Sequence, residues 1–415
     1  MTGPDGAELA GIASVPVRGG DDELAQLLGP FLARQDWAQS ALGIVGAKSV
    51  PVRLVDAAVL RPGRPGLASV VVDAGERFDC RLHVLLGWRS LPQATAALLR
   101  PGAVVGTGED ADGEVLLYDA LADGELCLEL LAAASSGREH AIRSRVVQSL
   151  VSHSALVYDE RLFMKCYRVI ERRQRPEIEM MMRLDEVGFN HLLAPVAHWA
   201  RGAFDLGLVR EFLPGAVEGK ALALTSLRDL LARSGTSEDA SSFEEVGLAG
   251  GDLGDEMRRL GHTTAELHLA LAEAFGLRPR PGGEAGSEIR IHGDYHLRRV
   301  MRVETGWLVA GFGDDPLIGP RAGAGSQGEP RTAVPLEDVA DLFLSLRQVA
   351  DEAAALQPAS TLAHALVLAE GWVRHNRSSF LRGYLEAADI AQLVPQGRVE
   401  VDTWLEERVA ARWSV

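Results

Sequence analysis

Apolar residues along the chain follow strand periods, then helical periods, in an order that predicts its elements. Leu24, Leu27, Leu28, Phe31 and Leu32 recur at helical spacing and predict a helix from about Asp21, after a Gly-rich, polar and loosely held start. VRLVDAAVL and LASVVVD, between Val52 and Asp73, read as strands joined by the turn-rich RPGRPG, and RLHVLLGW (Arg81 to Trp88) reads as a third. LPQATAALLR and LCLELLAAA read as helices. Ser154 to Val169 reads as two strands around an Asp-Glu turn, and Pro176 opens a helix that Gly188 ends. HLLAPVAHWA and FDLGLVREFLP supply two further strands before Pro214. Helical spacing then dominates, over Ala221–Ser234, Leu253–Phe275, Leu336–Ala355, Ser360–Ala388 and Val399–Trp413. Two stretches interrupt it. Ser234–Glu256 is acidic and Gly/Ser-rich and reads as a solvated loop, and Pro316–Pro335 is a long Gly/Pro-rich connection.

Length and composition narrow the class. At 415 residues, with 47% hydrophobic and 24% charged positions, the chain is globular and long enough for two or three domains. A formal charge of -16 argues against nucleic acid and anionic membrane as partners. The first residues lack a basic segment followed by an apolar one, and no run of 18 apolar residues occurs, so a cytoplasmic location is expected. Cys80, Cys127 and Cys166 are too few and too scattered for a disulfide or zinc framework. Only Lys48, Lys165 and Lys220 are lysines among 42 basic residues, so a lysine within a strand, as Lys165 is, calls for a reason.

The most specific string is IRIHGDYHLRRVMRVETGWLVAGFGDDP, from Ile289 to Pro316. It resembles the catalytic loop and metal-binding strand of the aminoglycoside-phosphotransferase and protein-kinase-like superfamily. The resemblance implies that Asp294 is the catalytic base, with His292 and His296 completing its loop. Upstream, the β-β-α-β-β order resembles a kinase small lobe. It implies that Lys165, paired with Glu179 of the next helix, holds the nucleotide phosphates. VREFLP, containing Glu211, lies where the adenine-binding hinge falls in the family, and Ser152 and Ser154 lie where its phosphate loop falls.

Within the superfamily the chain is most similar to bacterial maltokinases and glucosamine kinases. FLARQDWAQ, YDALADGE, SHSALVYDERLFMKCYR, EFLPGAVEGKALAL, TAELHLALAEAFG and PLEDVADLFLSL carry the likeness in order along nearly the whole chain. It implies an α+β, protein-kinase-like (aminoglycoside-phosphotransferase-like) bilobal fold with an N-terminal maltokinase-type cap. The expected boundaries are a cap over 1–98, an intermediate region and small lobe over 99–213, and a helical large lobe over 214–415. ATP as cofactor and a sugar or amino sugar as acceptor follow from the same likeness. So does a partner enzyme of glycogen or trehalose metabolism, because maltokinases occur with trehalose synthase.

The pattern departs where the family binds magnesium. The Gln or Asn that ends the family's loop is Arg299 here, and the metal-binding Asp of its next strand is Gly311. Magnesium takes hard oxygen ligands in near-octahedral geometry. A guanidinium offers no lone pair and glycine no side chain. Asp314 and Asp315 are the nearest carboxylates that could substitute. On the acceptor side, the family's Lys and Tyr become Thr403 and Glu406. Two readings follow: a pseudokinase that binds nucleotide, sugar or a partner enzyme, or an active sugar kinase with a relocated metal site.

Overall fold

In the computed structural model, which describes residues 15–74, 81–91, 102–149, 153–170, 175–193, 195–234, 253–280, 286–312, 331–394 and 397–413, helix α1 (Gly20–Ala33) buries the predicted stripe. Leu24, Leu28, Phe31 and Leu32 are each no more than 1% exposed. They pack with Val70 and Val72 of β2 (Gly66–Asp73), Val84 and Leu86 of β3 (Arg81–Ser90), and Val115 and Leu117 of β5 (Gly113–Asp119). Helix α2 (Asp36–Leu42) adds Trp37, Ala38 and Leu42 to the same core. The sheet is antiparallel in the order β1-β2-β3-β5-β4, with β1 (Arg53–Arg61) and β4 (Val104–Asp110) at its ends. It runs on past residue 98, because β5 pairs with β3 through Leu86↔Asp119 to Ser90↔Val115. Residues 92–100 of the segment read as a helix lie outside the described residues. Helix α3 (Gly124–Ala134) follows, capped by Asp123, whose carboxylate accepts from the backbone N–H of Glu125 and Leu126.

A second antiparallel sheet has the order β10-β11-β8-β7-β6, formed by β6 (Ser144–Ser149), β7 (His153–Tyr158), β8 (Leu162–Tyr167), β10 (Pro195–Arg201) and β11 (Phe204–Glu211). β8 alternates: Leu162, Met164 and Cys166 are buried, whereas Phe163 and Lys165 on the other face are half-buried. Two residues after β8, the short β9 (Val169–Ile170) pairs with β3, so one continuous stretch joins both sheets. Arg168, 3% exposed in its side chain, sits at this junction. It donates to Asp119 at 2.8 Å and to the Ser154 hydroxyl at 3.1 Å, and lies 5.0 Å over the Trp37 ring. His83 is fully buried beside it, with Nδ1 donating to the Tyr167 carbonyl and Nε2 accepting from the Ser69 hydroxyl, both at 2.9 Å. Burial lowers the His83 pKa to about 4.

These elements form the first of two compact units, residues up to 170 with 195–212. The second comprises 175–193 and the described residues from Leu213 onward, so helix α4 (Pro176–Glu186) groups with the large-lobe helices. Five helices were expected there from periodicity. They are α5 (Gly219–Ser234), α6 (Gly254–Phe275), α7 (Leu336–Ala355), α8 (Leu362–Glu386) and α9 (Arg398–Trp413). α6 and α8 approach closely: a Cβ at Gly261 would lie 2.1 Å from the Phe380 carbonyl, and one at Gly383 1.9 Å from that of Arg258. Strand β14 (Ser287–Arg290) pairs on its two sides with β13 (Arg278–Pro279) and β17 (Thr332–Ala333). β12 (Val217–Glu218), β15 (Val300–Val303) and β16 (Gly306–Val309) form a three-stranded sheet. Among the described residues, no helix is long and apolar enough to cross a membrane.

Candidate active site

The loop between β14 and β15 carries the most specific string, and buried groups beneath it set its shape. Gly293 takes a left-handed φ of +86°, turning the chain sharply after His292. The backbone N–H groups of His292 and Gly293 donate to Asp338 at 2.7 and 2.9 Å. Asp338, in the first turn of α7, is fully buried, with His268 Nε2 3.4 Å away. Burial alone would raise its carboxyl pKa; His268, His292 and the Gly293 N–H outweigh that and lower it. His268 in turn bonds the Tyr384 hydroxyl at 2.8 Å, and Tyr295 of the loop bonds Thr264 of α6 at 2.8 Å. The loop is therefore anchored to α6, α7 and α8.

His292 is 2% exposed, between the Tyr295 ring at 5.2 Å and the Phe312 ring at 4.7 Å. Burial lowers its pKa to about 4, so it is neutral at pH 7. Its Nδ1 accepts from the Asp294 N–H at 3.3 Å and its Nε2 donates to the Ala310 carbonyl at 3.4 Å, which fixes the tautomer. His296 caps a short 3₁₀ turn, Leu297–Arg299, its Nδ1 accepting from the Arg298 N–H at 3.2 Å.

Asp294 and Arg299 meet at the centre of the loop. Arg299 Nε and Nη2 donate to Asp294 Oδ2 at 3.1 and 2.5 Å, and His296 Nε2 lies 3.6 Å from the same oxygen. Burial would raise the Asp294 carboxyl, but hydrogen bonds from His296 and Arg299 and their charge hold it well below the usual carboxylate range. Gly311 lies against the guanidinium: a Cβ there would stand 2.6 Å from Arg299 Nη1. The two positions expected to hold magnesium thus carry a guanidinium already bonded to the Asp294 carboxylate and a glycine that leaves it room. This donor set does not fit the ion. Asp314 and Asp315 lie outside the described residues.

The residues expected to hold nucleotide distribute differently. Lys165 stands in mid-β8, opposite Ala155 and Leu208. The Glu179 carboxylate accepts from Arg290 Nη1 at 2.7 Å, a partner the sequence did not suggest. Arg290, 6% exposed, also lies 4.4 Å over the Phe275 ring. Glu211 is exposed at the end of β11. Ser154, expected on a phosphate loop, is 1% exposed, and its hydroxyl accepts from Arg168 at 3.1 Å within the packing of this unit. Ser152 lies outside the described residues.

Sequence reading missed two groups. Asp338 belongs to PLEDVADLFLSL, where an acid flanked by Leu336, Val339 and Ala340 on a buried helical face was the available signal. Glu337 and Asp341 were also missed. Arg408 of α9 bonds Glu337 at 2.7 Å, Arg412 bonds both acids, and Arg331 joins Glu337 at 3.3 Å and the Gly293 carbonyl at 3.4 Å. Thr403 and Glu406 are exposed on the same α9.

Comparison with known proteins agrees with this architecture. Residues 31–123 match the family of the maltokinase N-terminal cap domain. A structure of glucosamine kinase in complex with glucosamine, ADP and inorganic phosphate superposes with a TM-score of 0.55 at 18% identity, covering 91% of this chain and 92% of that one. Two further crystal forms, B and A, of glucosamine kinase give TM-scores of 0.56 and 0.52 at 18% identity, covering 91% and 92% of this chain and 92% and 97% of theirs.

Proposed function

We propose that this maltokinase- and glucosamine-kinase-like chain, with a maltokinase cap on the glucosamine-kinase fold, is a catalytically impaired sugar kinase that acts by binding nucleotide, sugar or a partner enzyme. The observation that carries the reading is the Arg299 side chain bonded twice to Asp294. A general base must face the acceptor hydroxyl with a free lone pair and an accessible pKa. Here the carboxylate is neutralised by an internal cation and its pKa is depressed, both of which weaken it as a base. In this reading Lys165 and Glu179 serve the nucleotide phosphates, and the glucosamine kinase bound to glucosamine and ADP supports nucleotide and amino sugar as ligand classes. A partner enzyme of glycogen or trehalose metabolism is the macromolecular alternative.

Transfer of radiolabelled phosphate from ATP to glucosamine or maltose, with magnesium present, tests the reading. No transfer is expected, while ATP or ADP raises the thermal midpoint by mass action. One observation favours the second reading, an active kinase with a relocated metal site. The loop is held firmly from beneath, since Asp338 accepts from the backbone N–H groups of His292 and Gly293, next to Asp294. Robust turnover lost on Asp314→Ala or Asp315→Ala would establish that reading instead.

A further inference from the structure

Arg299 is fixed from several sides. Its backbone N–H donates to the His296 carbonyl at 2.7 Å, and its own carbonyl accepts from Ala310 at 2.8 Å, tying the 3₁₀ turn to the segment after β16. Its Nε and Nη2 are spent on Asp294 Oδ2. An ideal Cβ at position 311 would meet Nη1, Cδ and Cζ of this side chain at 2.6, 3.0 and 3.3 Å. Gly311 also holds φ at +69°, where side-chain-bearing residues are strained. A side chain at 311 would require the guanidinium to shift from this position.

Resting on the sugar-kinase-like reading above, we propose that Arg299 is the resident cation of this catalytic loop. It takes the place over Asp294 that a divalent ion would need, Gly311 is the gap that admits it, and phosphoryl-bearing ligands reach the loop free of metal. A divalent ion would have to displace a guanidinium held by two hydrogen bonds, or sit beside it against like charge. The guanidinium still has donors to offer: Nη1 makes no hydrogen bond among the described residues, and the planar fork suits phosphate oxygens. Gly311 and Arg299 therefore act as a pair, and neither replacement alone recreates a metal site. Aspartate at 311 with Arg299 in place would meet the guanidinium, and glutamine at 299 with Gly311 in place would leave the second ligand missing.

The test uses Mn²⁺, followed by its paramagnetic resonance signal, on the full chain as wild type, Asp294→Asn and the double variant Arg299→Gln/Gly311→Asp. ADP binding is followed by calorimetry with EDTA and with magnesium. The wild type should show no Asp294-dependent Mn²⁺ binding, and the double variant should gain a saturable site. ADP affinity of the wild type should be indifferent to EDTA, and Arg299→Gln should weaken it by about tenfold, the size of one lost charge-assisted hydrogen bond. Wild-type Mn²⁺ binding abolished by Asp294→Asn would overturn the proposal, as would a natively folded double variant with no gain. Should the double variant not fold, Arg299→Gln decides: ADP affinity unchanged from wild type, with magnesium and without, overturns the proposal. ADP binding to no variant refutes the nucleotide part of the functional reading and leaves Arg299 to the Mn²⁺ result.

Discussion

Replacing Asp338 by alanine removes the acceptor for two backbone donors of the loop between β14 and β15, the buried His292 N–H and the part-buried Gly293 N–H, at 2.7 and 2.9 Å. The Asp338 side chain has no exposed surface and His292 is 2% exposed, so the His292 N–H is cut off from water, while the Gly293 N–H is only part-buried. An unsatisfied buried donor costs about 1–3 kcal/mol and the part-buried Gly293 N–H less, so the variant should lose roughly 2–4 kcal/mol. Asp338→Asn keeps one acceptor oxygen but turns an amide N–H toward the other donor, and should cost about half as much. The pH dependence follows from the lowered Asp338 pKa. A depressed carboxyl contributes its full stability above the unfolded value and loses it as pH falls through the folded one. The gap between wild type and Asp338→Ala should therefore be constant near neutrality and shrink below about pH 4. Urea unfolding followed by tryptophan fluorescence reads it, since Trp307 and Trp372 are each 1% exposed in the same unit. An alanine variant within about 1 kcal/mol of wild type at pH 7 would refute the reasoning, because the loop donors would then have another partner.

Three further outcomes are expected. Arg168→Met should destabilise the first unit by about 3–5 kcal/mol in urea, because it strands the Asp119 carboxylate at the junction of the two sheets; near-neutral behaviour would mean that Asp119 is solvated. His83, with its pKa lowered to about 4, contributes stability that is complete above its ordinary value near 6.5 and lost as pH falls toward 4. The thermal midpoint of wild type should thus fall over that window more steeply than that of His83→Gln, and equal slopes would contradict the buried neutral histidine. Cys127 and Cys166, both pushed up to about 12 by burial, should stay unreactive toward a disulfide reagent in a native Cys80→Ser background and react fully in guanidinium; rapid native labelling would contradict their burial.

Local pattern was enough for most helices. The stripe from Leu24 to Leu32 and the helices from α5 to α9 repeat at a period that any isolated segment displays, so their positions were legible within a few residues. Strands β4, β5 and β6 were not. β4 carries Gly106 and Gly108, and its hairpin tip is acidic, which dilutes the alternation. β6 leaves Val147 49% exposed at the edge of its sheet, so no apolar face marks it. What makes them strands is backbone pairing with partners elsewhere in the chain, and pairing leaves little trace in composition.

For the site, the chain by itself determined which residue types are available: Asp294 with His292 and His296 around it, and Arg299 and Gly311 where the resemblance led one to expect oxygen ligands. That follows from covalent chemistry alone, since no conformation gives a guanidinium a lone pair. Tertiary structure decided what those residues do to one another. Glu179 meets Arg290 across 111 positions, and the loop's backbone meets Asp338 across 45 and 46. The turn at 297–299 and the left-handed glycine after β16 bring Arg299 onto Asp294 and open the space it fills. Such contacts depend on the relative placement of segments, and only the buried packing of α6, α7 and α8 beneath the loop fixes that placement.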